Sequence, residues 1–178
     1  MNKALSILVE LVKQSNISLT FKLIEVGALK IQDQDEPFYE LLDYFPSTKI
    51  IGFEIDKEIC EKMNSQAKEG VKYYPHALGK DNEQRKFYIT QNPMCSSLYK
   101  PNEELIKLYN NFEVAYVKKE IEIDTISLDY FVDKNDVGNV DFIKIDVQGA
   151  ELDVFKGGSK TLENVLKIIC EVEFIQHY

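Results

Sequence analysis

Val140-Asp141-Phe142-Ile143-Lys144-Ile145-Asp146-Val147-Gln148-Gly149-Ala150-Glu151 is the stretch that decides the fold. Val140 to Val147 reads as a strong buried strand, and Gly149 permits a turn into a short helix that Gly157-Gly158 closes. Asp146, Gln148 and Glu151 collect where the strand hands over to the helix. Open α/β sheets bind ligands at the carboxyl ends of their strands, so this cluster is a candidate site. Each acid also has a plainer role. Asp146 can cap the helix, and Glu151 can sit in its first turn against the helix dipole.

Outward from this string the same alternation repeats. Phe21 to Val26 is a buried strand that ends at Gly27. Lys49 to Ile55 is a second, Val71 to Leu78 a third, and Leu166 to Phe174 the last. Between them fall helical patterns. Leu5, Leu8, Val9 and Val12 recur at helical spacing. Asp35-Glu36-Pro37 starts a helix that Pro46 stops. Asp56 caps another, with Ile59, Cys60 and Met63 inward and Gly70 at its end. The region from Gln91 to Ser127 is less regular. It holds a short helix from Glu103 to Tyr109 and a β-rich run from Val114 to Ile123, and it follows a short strand at Lys86 to Thr90. Strands alternating with helices predict parallel βαβ units in an α/β, mostly parallel, doubly wound sheet. Residues 1–20 form an N-terminal helical segment and 21–178 a single domain.

Three further sites lie at strand ends. Glu25-Val26-Gly27-Ala28 closes the first strand, and a glycine there lets a ligand approach the backbone or serves a tight turn alone. The dinucleotide fingerprint G-x-G-x-x-G is absent, because Lys30 and Gln32 occupy the later glycine positions. That argues against a nicotinamide-dependent oxidoreductase. Glu54, in Gly52-Phe53-Glu54-Ile55, falls 27 residues after Gly27. An acid at this place can accept two hydrogen bonds from a ribose diol, or be a solvated strand-end carboxylate. After the third strand, Pro75-His76-Ala77-Leu78-Gly79 offers apolar side chains and a polar edge to an adenine base.

Composition bounds the alternatives. The 178 residues carry a formal net charge of −9 and no basic block, which disfavours nucleic acid as a partner. No run approaches the roughly 20 apolar residues of a membrane span. Lys3, Glu10 and Lys13 interrupt any leader-like apolar stretch. Three scattered cysteines (Cys60, Cys95 and Cys170) make neither a disulfide framework nor a zinc site, so the expected compartment is the cytoplasm. With two histidines and Asp146 alone among metal-facing carboxylates, no metal is expected.

Asp141 to Gly158, DFIKIDVQGAELDVFKGG, resembles the hallmark of the FkbM family of methyltransferases. Other pieces are similar to that family in order and spacing: Glu25 to Ala28, Phe53-Glu54, His76 to Gly79, Ser96-Ser97-Leu98, Thr125 to Asp129, and Glu171-Val172-Glu173. The resemblance implies a Rossmann-like class I fold and S-adenosylmethionine as cofactor. It also implies methyl transfer to a hydroxyl of a small molecule, sugar or glycan. It places Glu25, Gly27 and Ala28 beside the methionine part and Glu54 with Ile55 at the ribose. His76 and Ala77 border the adenine, Asp146 faces the methyl centre, and Ser97 contacts cofactor or substrate. Asp146 and Glu151 are the candidate bases. The chain departs from the family pattern in the polar Lys30 to Asp35 loop and in His76, where asparagine is commoner. It stops at Tyr178, where the family fold adds a helix and an antiparallel strand pair. The expectation is a trimmed chain or one completed by a partner, with a homodimer possible. A non-catalytic binding module is the rival that these departures motivate.

Overall fold

β1 (Lys22–Val26) has parallel neighbours on both sides, and the fold is built around it. The computed structural model describes residues 3–15, 17–29 and 36–178. β2 (Lys49–Phe53) pairs with β1 from Lys22 opposite Lys49 to Val26 opposite Phe53. β3 (Val71–Tyr74) adds beyond β2. The chain later returns to the other side of β1 as β7 (Phe142–Ile145), and β8 (Lys167–Cys170) lies outside it. The order β3-β2-β1-β7-β8 is therefore parallel throughout, and it reverses direction between β1 and β7. That reversal opens a crevice at the strands' carboxyl ends. The expected parallel α/β sheet is present.

A second sheet covers that crevice. It comprises β4 (Ala77–Gly79), β5 (Glu83–Thr90) and β6 (Val117–Ser127), in the order β4-β6-β5. The sequence predicts one strand over Val71 to Leu78, whereas the structure has two, in different sheets. Pro75 has no N–H to continue a ladder. The His76 N–H turns back onto the Tyr74 carbonyl at 2.9 Å, the contact of a γ-turn.

Helices pack on both faces of the parallel sheet. α1 (Lys3–Ser15) precedes β1. A 3-10 turn (Pro37–Glu40) leads into α2 (Leu41–Tyr44), with Pro37 in the first turn as expected. Asp35 lies outside the described residues. α3 (Lys57–Gln66) begins where the Asp56 carboxylate accepts the Ile59 N–H at 3.0 Å. It ends at Gln66 and not at Gly70, which makes the turn into β3 at φ +88°. α4 (Glu103–Ile106), α5 (Leu128–Lys134), α6 (Glu151–Gly157) and α7 (Ser159–Leu162) complete the set. α5 is too short to persist alone. It is held because Leu128, Phe131 and Val132 bury against Phe53, Leu78, Val140 and Ile145. Leu23, Tyr39, Leu42 and Ile50 form the core of the opposite face.

β8 is the weakest element. It spans four residues, where the pattern predicts a strand from Leu166 to Phe174, and no strand among the described residues pairs its outer edge. No helix among the described residues is long and apolar enough to cross a membrane.

Candidate active site

The crevice is a cleft of about 440 Å³ between the parallel sheet's carboxyl ends and the inner face of the second sheet. Gly27, Glu54, Ile55, His76, Ala77 and Asp146 all line it. Four loops that the sequence separates by up to 119 residues thus meet in one place.

Gly27 brings two of these loops together. Its φ is +78°, and a Cβ there would stand 1.9 Å from the Asp146 carbonyl oxygen. The Asp146 N–H also donates to the Val26 carbonyl at 3.0 Å. The glycine therefore answers first to the packing of β1 against β7, and it lines the cleft as well. Ala28 next to it is buried against Cys60 and Tyr73, and its N–H donates to the Phe53 carbonyl at 3.0 Å. Glu25 is 4% exposed and lies beneath the cleft, where the Tyr39 hydroxyl donates to it at 2.7 Å. Burial, then the Glu25 charge, holds the Tyr39 proton far above the ordinary tyrosine range, so Tyr39 stays a donor.

Glu54 ends β2 with one oxygen accepting the Asp56 N–H at 2.9 Å. Burial raises its proton affinity. The Ile55 backbone N–H also favours the charged carboxylate, so two backbone donors hold the side chain at the cleft's edge. His76 borders the cleft as a neutral ring, because burial and then the Lys134 charge lower its proton affinity.

Asp146 is held ionised at the far side. Burial by itself would raise its proton affinity, but hydrogen bonds with Glu171 and Gln148 and the nearby Lys144 outweigh that. Gln148 Nε2 donates to Asp146 Oδ1 at 2.9 Å and to Glu171 Oε2 at 2.7 Å. Lys144 Nζ reaches Asp146 at 3.3 Å and Glu36 at 3.1 Å. Glu171 carries the counterpart shift. Its contact with Asp146, then burial, pushes its pKa up to about 7. The two carboxyls act as one titrating pair near neutrality.

Besides Glu25 and Ala28, two more expected residues lie off the cleft lining. Glu151 does not line the cleft; its carboxylate accepts the Val147 N–H at 3.0 Å and ties the loop before α6. Ser97 is 1% exposed, and its hydroxyl accepts the Tyr99 N–H at 3.0 Å. Its neighbour Ser96 lines the cleft instead. Sequence reading missed Glu171 as the partner of Asp146, and it missed the apolar wall of Phe87, Ile89, Leu98, Ile121 and Ile123. A signal for the wall existed. Ile121 and Ile123 alternate with Glu120, Glu122 and Asp124, the period of a strand with one dry face.

Among the described residues the cleft's charged lining is Glu54, Asp56 and Asp146, with no lysine or arginine. Nor does any group of three or more His, Cys, Asp or Glu side chains among them stand close enough to hold a metal. A parallel sheet with a strand-order reversal and an acid-rimmed cleft at its carboxyl ends defines a Rossmann-like α/β ligand-binding domain. The FkbM methyltransferase domain matches residues 25–178, and the chain belongs to that family. Its class of activity is therefore methyl transfer, as the Asp141 to Gly158 string implies. Comparison with curated proteins and with solved structures found no match.

Proposed function

We propose that the chain binds S-adenosylmethionine in this cleft and methylates a hydroxyl of a small molecule, sugar or glycan. The observation that carries the reading is the charge of the lining: three carboxylates and no lysine or arginine among the described residues. At an effective dielectric of about 20, unit charges 4 Å apart interact by about 4 kcal/mol. The lining therefore attracts a cation and repels a pyrophosphate, which favours a sulfonium cofactor over a nicotinamide dinucleotide. When bound, S-adenosylmethionine supplies a methyl group activated by its sulfonium.

The chain's residues then have separate tasks. Glu54, an acid at the end of β2 that lines the cleft, accepts the ribose hydroxyls. Ile55, His76 and Ala77 border the adenine. Gly27, set at the close approach of β1 and β7, borders the methionine part. Asp146 places negative charge toward the cationic centre. The acceptor's hydroxyl proton passes to the Asp146–Glu171 pair, whose proton affinity near neutrality suits a general base. The rest of the barrier falls through alignment of donor and acceptor.

Calorimetric titration tests the reading. S-adenosylmethionine and its demethylated product should both bind, and NAD should not. Binding of NAD alone, or of none of the three, would sink it. Glu54→Ala should weaken both adenosyl ligands about tenfold or more, since hydrogen bonds to a charged group contribute about 1.5–3 kcal/mol. An unchanged affinity would put the ribose elsewhere.

A further inference from the structure

Tyr178 lies at the rim of the cleft and joins two of its walls. Its hydroxyl is 3.0 Å from the Cys95 carbonyl oxygen and 3.3 Å from Gln148 Oε1. Cys95 sits between Met94 and Ser96, which line one wall, and Gln148 lines another. Burial, then neighbouring acidic groups, keeps the phenol protonated well above the ordinary tyrosine range, so it is a donor.

The ring has a prepared seat. Gly149 has φ +94°, and a Cβ there would stand 2.9 Å from the Tyr178 Cβ. The segment leading to Tyr178 is anchored too. The Asn102 N–H donates to the His177 carbonyl at 2.6 Å, and the His177 ring packs on Tyr109 and Phe112 at 5.9 and 5.3 Å.

Gln148 is the residue this arrangement controls. Its φ of +55° is a left-handed conformation that a residue with a side chain holds only when its surroundings impose it. Its amide nitrogen donates to Asp146 and Glu171, and its amide oxygen faces the Tyr178 hydroxyl. A flipped amide would turn its oxygen against two carboxyls and give up the bond that oxygen accepts from the Tyr178 hydroxyl. One orientation therefore survives, and Asp146 is fixed with it.

We propose that Tyr178 is a positioning residue: by fixing the Gln148 amide, it aims the Asp146 carboxylate at the cationic centre of the bound cofactor. The inference rests on the S-adenosylmethionine reading above. It predicts a dependence that a merely structural contact would not show. An aimed carboxylate favours sulfonium-bearing S-adenosylmethionine over its uncharged-sulfur product, whereas general loosening of the cleft weakens both alike.

Calorimetry of both ligands with the full chain tests it, using the wild type, Tyr178→Phe, Gln148→Met and the double variant. The wild type should prefer S-adenosylmethionine. Tyr178→Phe keeps the ring on Gly149 and should lower the affinity ratio of the two ligands by about three- to tenfold, the range of one neutral hydrogen bond. Gln148→Met should lower it similarly, and the double variant should lower it no further, because the residues act in one chain. An unchanged ratio, an equal loss for both ligands, or fully additive effects would overturn the proposal. If Tyr178→Phe lowers the unfolding midpoint, the Gln148→Met ratio decides by the same criterion. A wild type that binds neither ligand removes the cofactor reading, and this inference with it.

Discussion

Gly27 and Glu171 carry the clearest consequences at the scale of single residues. Gly27→Ala would force a left-handed alanine and push a Cβ into the Asp146 carbonyl. The conformational cost is about 1–2 kcal/mol and overpacking adds about 1–3 kcal/mol, so thermal unfolding should register a loss of roughly 2 kcal/mol or more. Glu171 predicts a pH dependence. Its folded pKa of about 7 stands above the ordinary glutamate value of 4.5. Its contribution to stability is thus complete below about pH 4.5 and is lost as pH rises through 7. Over the same window a second negative charge appears beside Asp146, facing Gln148, Glu151 and Glu173. Affinity for S-adenosylmethionine should therefore rise between about pH 6 and 8, and Glu171→Gln should flatten that rise. An unaltered profile in the variant would assign the titration to another group. The sequence made Asp146 legible because its neighbours in the chain announce a strand end. Glu171 was illegible as its partner, because 25 residues and two helices separate them.

At the scale of elements, α6 meets β4 backbone to backbone. A Cβ on Gly157 would stand 2.2 Å from the Gly79 carbonyl oxygen. Gly157→Ala should cost about 1–3 kcal/mol of stability, read as a lower denaturation midpoint. The same helix is tied to the second sheet through Asp153, which accepts from Arg85 at 3.2 Å and from Tyr99 at 2.9 Å. Asp153 is almost wholly buried, so Asp153→Ala would leave Arg85 without that partner. A loss of about 1–3 kcal/mol is expected. Strands and helices of the parallel sheet were legible because each announces itself by local periodicity, from Phe21 to Val26 and again from Val140 to Val147. The division at Pro75 was not. An apolar run shows that residues are buried, but membership of one sheet or another is decided by partners far along the chain. Ala77 pairs with Thr125 and Tyr74 with Phe53.

At the scale of the whole molecule, β8 presents an outer edge with no partner strand among the described residues, flanked by Leu166, Ile168, Ile169, Val172 and Phe174, all exposed. Unpaired apolar edges associate. Sedimentation of the chain should show concentration-dependent self-association, and Ile169→Lys should suppress it. A monomer at every concentration would refute the expectation. The crossing at Pro75 and His76 has a different consequence. The cleft lies on a seam: Gly27 and Glu54 belong to the parallel sheet's loops, and Phe87 and Ile121 to the hairpin laid over them. A molecule seated there is a splint across that seam. It should slow amide exchange in β4, β5 and β6 as much as at the loops it touches. Loading the cleft would then set the rigidity of the hairpin, while Leu78 and Ile126 keep the two sheets joined through the core they share with Val26, Phe53 and Ile145.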